Sequence, residues 1–329
     1  MLKLLQKTAL AAATGVALLA STGAAIAADW PKKTIQMVVP FPAGSSPDVL
    51  ARTIAEPMSQ ALGQTIIIDN KPGAGGNIGT RFVARAKPDG YTMLLTINGP
   101  MVTAPTLYKK SLGYDPLKDL QPISLVGTSP NVLIVPADSP ATNLTEFIEL
   151  AKKEKGALNY GSVGAGSASH LSMAMLEHAA NIELTHIPYS GFPQIISGVI
   201  AGDIHGAFMV PGIAMPQVNS GKIRALAVTS LEESELVPNM PPVAATKGFE
   251  GFEAISWDAL FVPAGTPEAI VTRLNELTQE VLARPEVQEK IRALYFTPES
   301  SSPAAMTERI ESEKVIWDEV IDRLQLTLD

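Results

Sequence analysis

The chain contains no cysteine. That absence excludes a disulfide framework, and it removes the residue on which a bacterial lipoprotein would carry its lipid. Basic residues are the minority, 25 against 33 acidic, for a formal charge of −8. That balance argues against a partner that demands a basic patch, nucleic acid or an anionic membrane. Charged residues amount to only 18% of the chain beside 46% hydrophobic, too few for disorder and consistent with real cores.

Long apolar runs are missing as well. The longest, at 9–20, falls short of the ~20 residues a span needs, and no stop-transfer charges follow it. Lys3 and Lys7 precede this run, Ser21, Thr22 and Gly23 loosen it, and Ala25-Ile26-Ala27 offers a small-x-small cleavage site. The pattern predicts a cleaved secretory signal over 1–27 and a mature protein free in the periplasm. Without Lys3 and Lys7 the basic count drops from 25 to 23 and the formal charge to −10. Any anionic ligand must then be attracted by local dipoles, because net charge repels it.

Catalytic signatures are equally scarce. Gly161–Ser167 is glycine-rich but has no Walker-type lysine. Gly73-Ala-Gly-Gly-Asn-Ile-Gly79 has its last glycine one place too far for a dinucleotide loop, and it follows a Lys-Pro turn where that fingerprint follows a strand directly. No G-x-S-x-G elbow occurs. His170, His178, His186 and His205 lack metal-ligand spacing. The expectation is a protein without catalytic residues, cofactor or metal.

What is present is a steady alternation of strand and helix signals. Runs at 34–39, 65–68 and 91–97 read as strands, with helices over 46–62 and roughly 80–86. Ser46 is the expected N-cap of the first helix, with Pro47 and Asp48 in its first turn and Gly63 as its stop. Strands at 131–135, 158–161, 183–187, 206–210 and 223–228 continue the pattern, with helices at 144–153 and after the loop 162–169. Such alternation predicts mostly parallel sheets covered on both faces. Residues 267–328 read as helical, with Val271, Leu274, Leu277, Val281 and Leu282 on one stripe and Val315, Ile316, Val320, Ile321 and Leu324 on another.

The roughly 300 residues after the signal allow two domains. Val132-Leu-Ile-Val-Pro-Ala-Asp-Ser-Pro140 echoes Ala259-Leu-Phe-Val-Pro-Ala-Gly-Thr-Pro267. Two such strand–turn–helix units suit segments crossing between domains, although chance reuse of a common turn gives the same echo. The expected division is 28–127 plus about 229–329, and about 128–228.

Loops at strand C-termini are where open α/β sheets bind ligands. The first offers Phe41, Ala43, Gly44, Ser45 and Ser46 at a helix N-terminus, which favours an anion. Asp48 there reads as a helix-dipole partner, since it would repel a carboxylate. The second offers Gly75, Gly76 and Asn77. The third offers Ser162, Gly164, Gly166, Ser167, Ser169 and His170, a nest of neutral donors in which one serine serves as N-cap. Tyr189, Ser190 and Phe192 follow a later strand. Phe41, Tyr189, Phe192, Phe208 and Met209 are candidate apolar walls, with core packing the competing role. None of these loops contains arginine.

Val38-Val-Pro-Phe-Pro-Ala-Gly-Ser-Ser-Pro-Asp48, Asn70-Lys-Pro-Gly-Ala-Gly-Gly76, Lys87-Pro-Asp-Gly-Tyr91, Tyr114-Asp-Pro116, Tyr160-Gly-Ser162, Pro188-Tyr-Ser-Gly191 and Pro263-Ala-Gly-Thr-Pro267 stand in the order found in one family. Across its mature length the chain resembles the Bug (TctC-like) substrate-binding proteins of tripartite tricarboxylate transporters. The resemblance implies an α/β Venus-flytrap fold of the periplasmic binding type with crossing hinge strands. It also implies an organic acid ligand gripped by loops 41–46 and 162–169 and delivered to a large and a small membrane subunit. No nucleic acid partner is expected, and the chain is expected to be a monomer. Ser45 stands where glycine is usual in the family, Ala43 where proline is frequent, Ser190 where lysine is frequent, and Ala174 where an acidic residue is frequent. The favoured ligand is a dicarboxylate or aromatic acid, because the loops lack the charge that citrate would reward. A sensor that presents its ligand to a signalling partner is the alternative to a transporter component.

Overall fold

The computed structural model describes residues 30–329 except Ala165 and Ser190; the signal-peptide expectation for 1–27 lies outside these. Among the described residues no helix is long and apolar enough to cross a membrane.

The N-terminal strand β1 (Ile35–Val39) leads into helix α1 (Ser46–Leu62), which ends on Gly63 at φ 63°. The N-cap is Ser45, one residue before the expected Ser46, and its hydroxyl makes no capping bond. Strand β2 (Ile66–Asn70) follows, then α2 (Asn77–Ala84), which starts three residues earlier than its sequence signals suggest. After β3 (Thr92–Ile97) come a wide turn, Gly99–Thr103, and two single-turn helices, α3 (Ala104–Leu107) and α4 (Pro116–Asp119). The long strand β4 (Leu120–Ser129) then carries the chain to a second sheet.

That sheet is built from β5 (Val132–Pro136), helix α5 (Leu144–Glu154), β6 (Asn159–Ser162), α6 (Ala168–Ala180) and β7 (Thr185–Pro188). It is completed by α7 (Phe192–Ala201), β8 (Gly206–Met209), α8 (Pro211–Asn219) and β9 (Ile223–Val228). The chain returns through β10 (Ser256–Pro263), α9 (Glu268–Leu282), α10 (Pro285–Ala293), a two-residue strand β11 (Thr297–Pro298) and α11 (Pro303–Arg323).

Six strands form one sheet in the order β11-β4-β10-β3-β1-β2, and five form the other in the order β7-β6-β8-β5-β9. Among the described strands, parallel pairing joins β1 to β2 and β3, and β6 to β7 and β8. The strands adjoining the crossings, β4, β5, β9 and β10, pair antiparallel, because a chain that passes from sheet to sheet enters each new one from the opposite end. The sheets are therefore mixed, where sequence alternation alone pointed to mostly parallel ones. β5 and β10, which carry the echoed sequences, each open the chain's path into a sheet after a crossing.

The two crossings are tied together. The Asn131 N–H donates to Thr229 Oγ1 at 2.8 Å, and Thr229 N–H donates back to Asn131 O at 3.0 Å. Both side chains also donate to Ala254 O. Three residues thus fix the relation of the strands that join the lobes.

One core lies between the first sheet and α1, α9 and α10, with Ile35, Met37, Leu50, Ile54, Leu274, Leu277 and Val281 at its centre. Another joins the second sheet to α7 and α8 through Val132, Ile134, Ile195, Val199 and Ala214. A third runs through both lobes, from Val38, Leu94 and Phe261 to Leu133, Phe147 and Leu171, and includes Trp317 and Ile321 of α11. Of the stripe expected here, Val320 and Ile321 are buried, whereas Val315, Ile316 and Leu324 are exposed, the first two at 62% and 49%. Met306, Ile310 and Trp317 also face inward.

Candidate functional site

A cavity of about 520 Å³ opens between the lobes at the C-terminal ends of β1, β3 and β6. From the first lobe come Phe41, Gly75, Asn77, Ile97, Asn98, Gly99, Thr103, Ala104, Leu107 and Tyr108. From the second come Val163, Gly166, Ser167, Ala168, Ser169, Leu171, Phe192 and Val210. Asn131 and Ser256, at the crossings, and Trp317 and Leu328 complete it. Among the described residues the lining contains no Lys, Arg, His, Asp or Glu. A larger, shallow groove of about 800 Å³ runs along α1 and β2 and touches none of these loops.

The first loop is held from beneath by Asp48, which is 2% exposed. Its carboxylate accepts the Gly44 N–H at 2.8 Å, Arg52 at 3.0–3.1 Å and Asn70 Nδ2 at 2.9 Å. Asn70 Nδ2 also donates to Phe41 O at 3.0 Å. Burial alone would raise the Asp48 carboxyl, but hydrogen bonds from Arg52, Gly44 and Asn70, with the Arg52 charge, hold it below its ordinary value. Asp48 is thus the structural anchor of the loop. The Gly44 and Ser45 N–H groups, expected to face the ligand, are used inside the loop by Asp48 and by Pro42 O. Phe41 alone of this loop lines the cavity, while Ala43, Gly44, Ser45 and Ser46 do not. The Ser45 hydroxyl is buried without a partner.

In the second loop, Gly76 takes φ +98°, and a Cβ there would lie 2.9 Å from both Phe41 Cζ and Pro100 Cγ. Only glycine lets Phe41 sit against the turn. Asn77 lines the cavity and accepts from Tyr114 Oη at 3.0 Å; Gly75 lines it too.

The third loop is a closed polar network. Ser167 caps α6, accepting the His170 N–H at 3.3 Å and donating to Gly164 O at 2.7 Å. Ser169 Oγ accepts the Val163 N–H at 3.1 Å. Ser162 Oγ lies 2.6 Å from His186 Nε2 and accepts the Gly164 N–H at 3.1 Å. His170 Nδ1 accepts the Gly166 N–H at 2.9 Å, so this imidazole is neutral with its proton on Nε2. Burial, reinforced by neighbouring His186, pulls His170 down to about 4, and burial lowers His186 as well. His170, Ser162, Gly164 and Tyr189 therefore stand behind or beside the cavity, while Gly166, Ser167, Ser169 and Phe192 line it. Ser190 lies outside the described residues. Phe208 and Met209 are fully buried in the cores.

The hydroxyls of Ser162, Ser167 and Ser169, expected to grip the ligand, are engaged by Gly164 O, by one another and by His186 of β7. The first turn of any helix leaves N–H donors without intrahelical partners. At α6 these sit beside the cavity-lining Ala168 and Ser169. An anion here meets a helix N-terminus and neutral amides.

Asn98, Asn131, Ser256, Trp317 and Leu328 escaped the sequence reading. Asn98 had a signal, since Asn-Gly-Pro directly follows a predicted strand, the position from which the other loops were chosen. Asn131, Ser256, Trp317 and Leu328 come from crossings and the C-terminal segment, and only tertiary folding brings them to the cavity.

Two α/β lobes, joined by crossing strands and enclosing an uncharged cavity, define a two-domain binding protein of the periplasmic solute-binding class. The family model for the tripartite tricarboxylate transporter family receptor matches residues 50–326, and the chain belongs to this family. Protein BugT of Bordetella pertussis (strain Tohama I) is 33% identical over 307 residues, 92% of this chain and 93% of BugT. The structure of the periplasmic binding protein BugD has a TM-score of 0.74 at 36% identity, covering 91% of this chain and 99% of that one. Rpa4515 of R. palustris with adipate gives 0.78 at 32%, covering 91% and 99%. MatC (Rpa3494) from Rhodopseudomonas palustris with bound malate gives 0.74 at 31%, covering 89% and 100%.

Proposed function

We propose that this protein captures a small organic carboxylate in the cavity between its lobes, a dicarboxylate or an aromatic acid, and releases it unchanged to the membrane subunits of a tripartite tricarboxylate-type transporter. The observation that carries the reading is the cavity lining, which among the described residues is uncharged yet meets the N-terminus of α6. Amide donors and a helix dipole hold a carboxylate without the fixed counter-charge that would retain it too tightly for delivery. Ile97, Leu107, Val163 and Leu171 supply an apolar stretch, which suits an acid with a hydrocarbon or aromatic body better than citrate. Adipate and malate in the related structures belong to the same chemical class.

In this account residues 1–27 are a removed export signal and the mature chain works in the periplasm. One domain comprises 28–127 with about 229–329, the other about 128–228, and the clamp at Asn131, Thr229 and Ala254 is the hinge between them. Ligand shifts the balance from open to closed lobes because it touches both only when they close. A thermal-shift screen of refolded protein tests this. An acid at a hundredfold its Kd stabilises by about 2.7 kcal/mol, several degrees of melting temperature. Shifts confined to carboxylates support the reading, and silence from every acid beside a response to a sugar or cation overturns it.

A further inference from the structure

The chain beyond α11 turns back across the cavity. Leu328 N–H donates to Leu107 O at 2.7 Å. One residue further, the Asp329 side-chain carboxylate accepts the Lys110 N–H at 3.0 Å, the Ser111 N–H at 3.1 Å and the Ser111 hydroxyl at 2.8 Å. Burial alone would raise this carboxyl, but those three donors, with the charge of Lys110, hold it below its ordinary value. The same stretch is held from α11, where Thr106 Oγ1 donates to Asp318, itself paired with Lys314.

These ties place Leu328 in the cavity wall beside Leu107. Gly166 of the second lobe stands directly opposite. A Cβ on Gly166 would lie 2.8 Å from Leu107 Cδ1 and 3.2 Å from Leu328 Cδ1. The strap therefore belongs to the first lobe by its hydrogen bonds and meets the second lobe by its side chain. A branched apolar side chain at this seam shortens the space available to a ligand body, while the polar donors lie on other residues of the lining.

We infer that Leu328 is a specificity-determining wall of the cavity, positioned by the grip of Asp329 on the 110–111 amides, and that it limits the length of the acid accepted. The inference rests on the carboxylate reading above. Leu328→Ala removes three carbon atoms from the wall, so the best ligand in a series of straight α,ω-dicarboxylates lengthens by one to three methylenes. Each added methylene that becomes buried raises affinity by about fourfold. Leu328→Trp moves the optimum the other way. Asp329→Ala frees the strap and flattens the length preference, and Asp329→Asn, which keeps an acceptor oxygen, restores part of it.

The experiment titrates the full chain and these variants with the series from malonate to sebacate, and follows amide hydrogen exchange without ligand. A displaced optimum in Leu328→Ala at unchanged thermal stability is the expected result, and an unchanged optimum overturns the inference. If the parent protein binds no diacid, the dicarboxylate half of the carboxylate reading fails, and hydrogen exchange still decides the strap. Faster exchange at Lys110, Ser111 and Gly166 in Asp329→Ala supports it, and unchanged exchange there removes it.

Discussion

His170 and His186 stack with ring centroids 4.1 Å apart and planes 11° from parallel, and Tyr160 lies 4.9 Å from His186. The pair forms the back of the third loop, because one ring accepts from Gly166 and the other bonds Ser162. Both rings are held neutral, His170 by burial and then by His186, and His186 by burial. A lowered histidine binds its proton less readily folded than unfolded, so stability is lost as pH falls from about 6.5 through about 4. His170→Gln, whose amide oxygen can still accept from Gly166, is expected to escape most of this loss. By pH 4.5 the variant gains on the parent by on the order of 2 kcal/mol, read as the difference between their melting temperatures across pH.

Glu313 works in the opposite direction. Burial raises it to about 7 although Trp257 Nε1 donates to it at 2.8 and 3.0 Å and Arg309 lies nearby. A raised carboxyl contributes stability that is full below its unfolded value and lost as pH rises through the folded one. Glu313→Gln keeps an acceptor for Trp257 and is expected to melt higher than the parent above pH 7, with the advantage shrinking toward pH 5. Equal pH profiles contradict the burial of an ionising group at this position.

Asp48→Ala removes the acceptor for Gly44, Arg52 and Asn70 together. Breaking such a buried network costs about 2–3 kcal/mol, and the Phe41 wall loses its support through Asn70. Denaturant unfolding is expected to show that loss, with weaker ligand binding under conditions where the variant is still folded.

Gly76→Ala tests the second loop. The residue sits at φ +98° with Phe41 and Pro100 in the way of a Cβ, so both the backbone and the cavity wall must move. The expected cost is about 1–3 kcal/mol, with ligand affinity reduced by displacement of Phe41. Gly63→Ala, which also has positive φ but open space around it, is expected to lose stability alone.

Much of this molecule was legible before folding. The helix at 46–62 and its stop at Gly63 follow from local capping chemistry, and the structure gives those bounds. The absence of arginine from the candidate loops was equally visible, because it is read directly from the local sequence. What sequence concealed was which polar atoms stay free. Gly44 N–H and the Ser167 hydroxyl are good donors in isolation, yet Asp48 and Gly164 O take them up. Strand direction was hidden too, since β5 and β10 read like any buried strand and only the crossings make them antiparallel. Leu328 lies over two hundred residues from Leu107, and no local pattern announces that contact.

The most direct test of the account is a calorimetric titration of refolded protein with adipate, malate and benzoate, alongside the uncharged diamide of adipic acid. Binding of one acid per chain with no heat from the diamide is the expected result. It would show that an uncharged cavity selects a carboxylate through amide donors and a helix terminus. Binding of the diamide as tightly as the acid, or of a sugar or amine in place of every acid, would contradict the account at its centre.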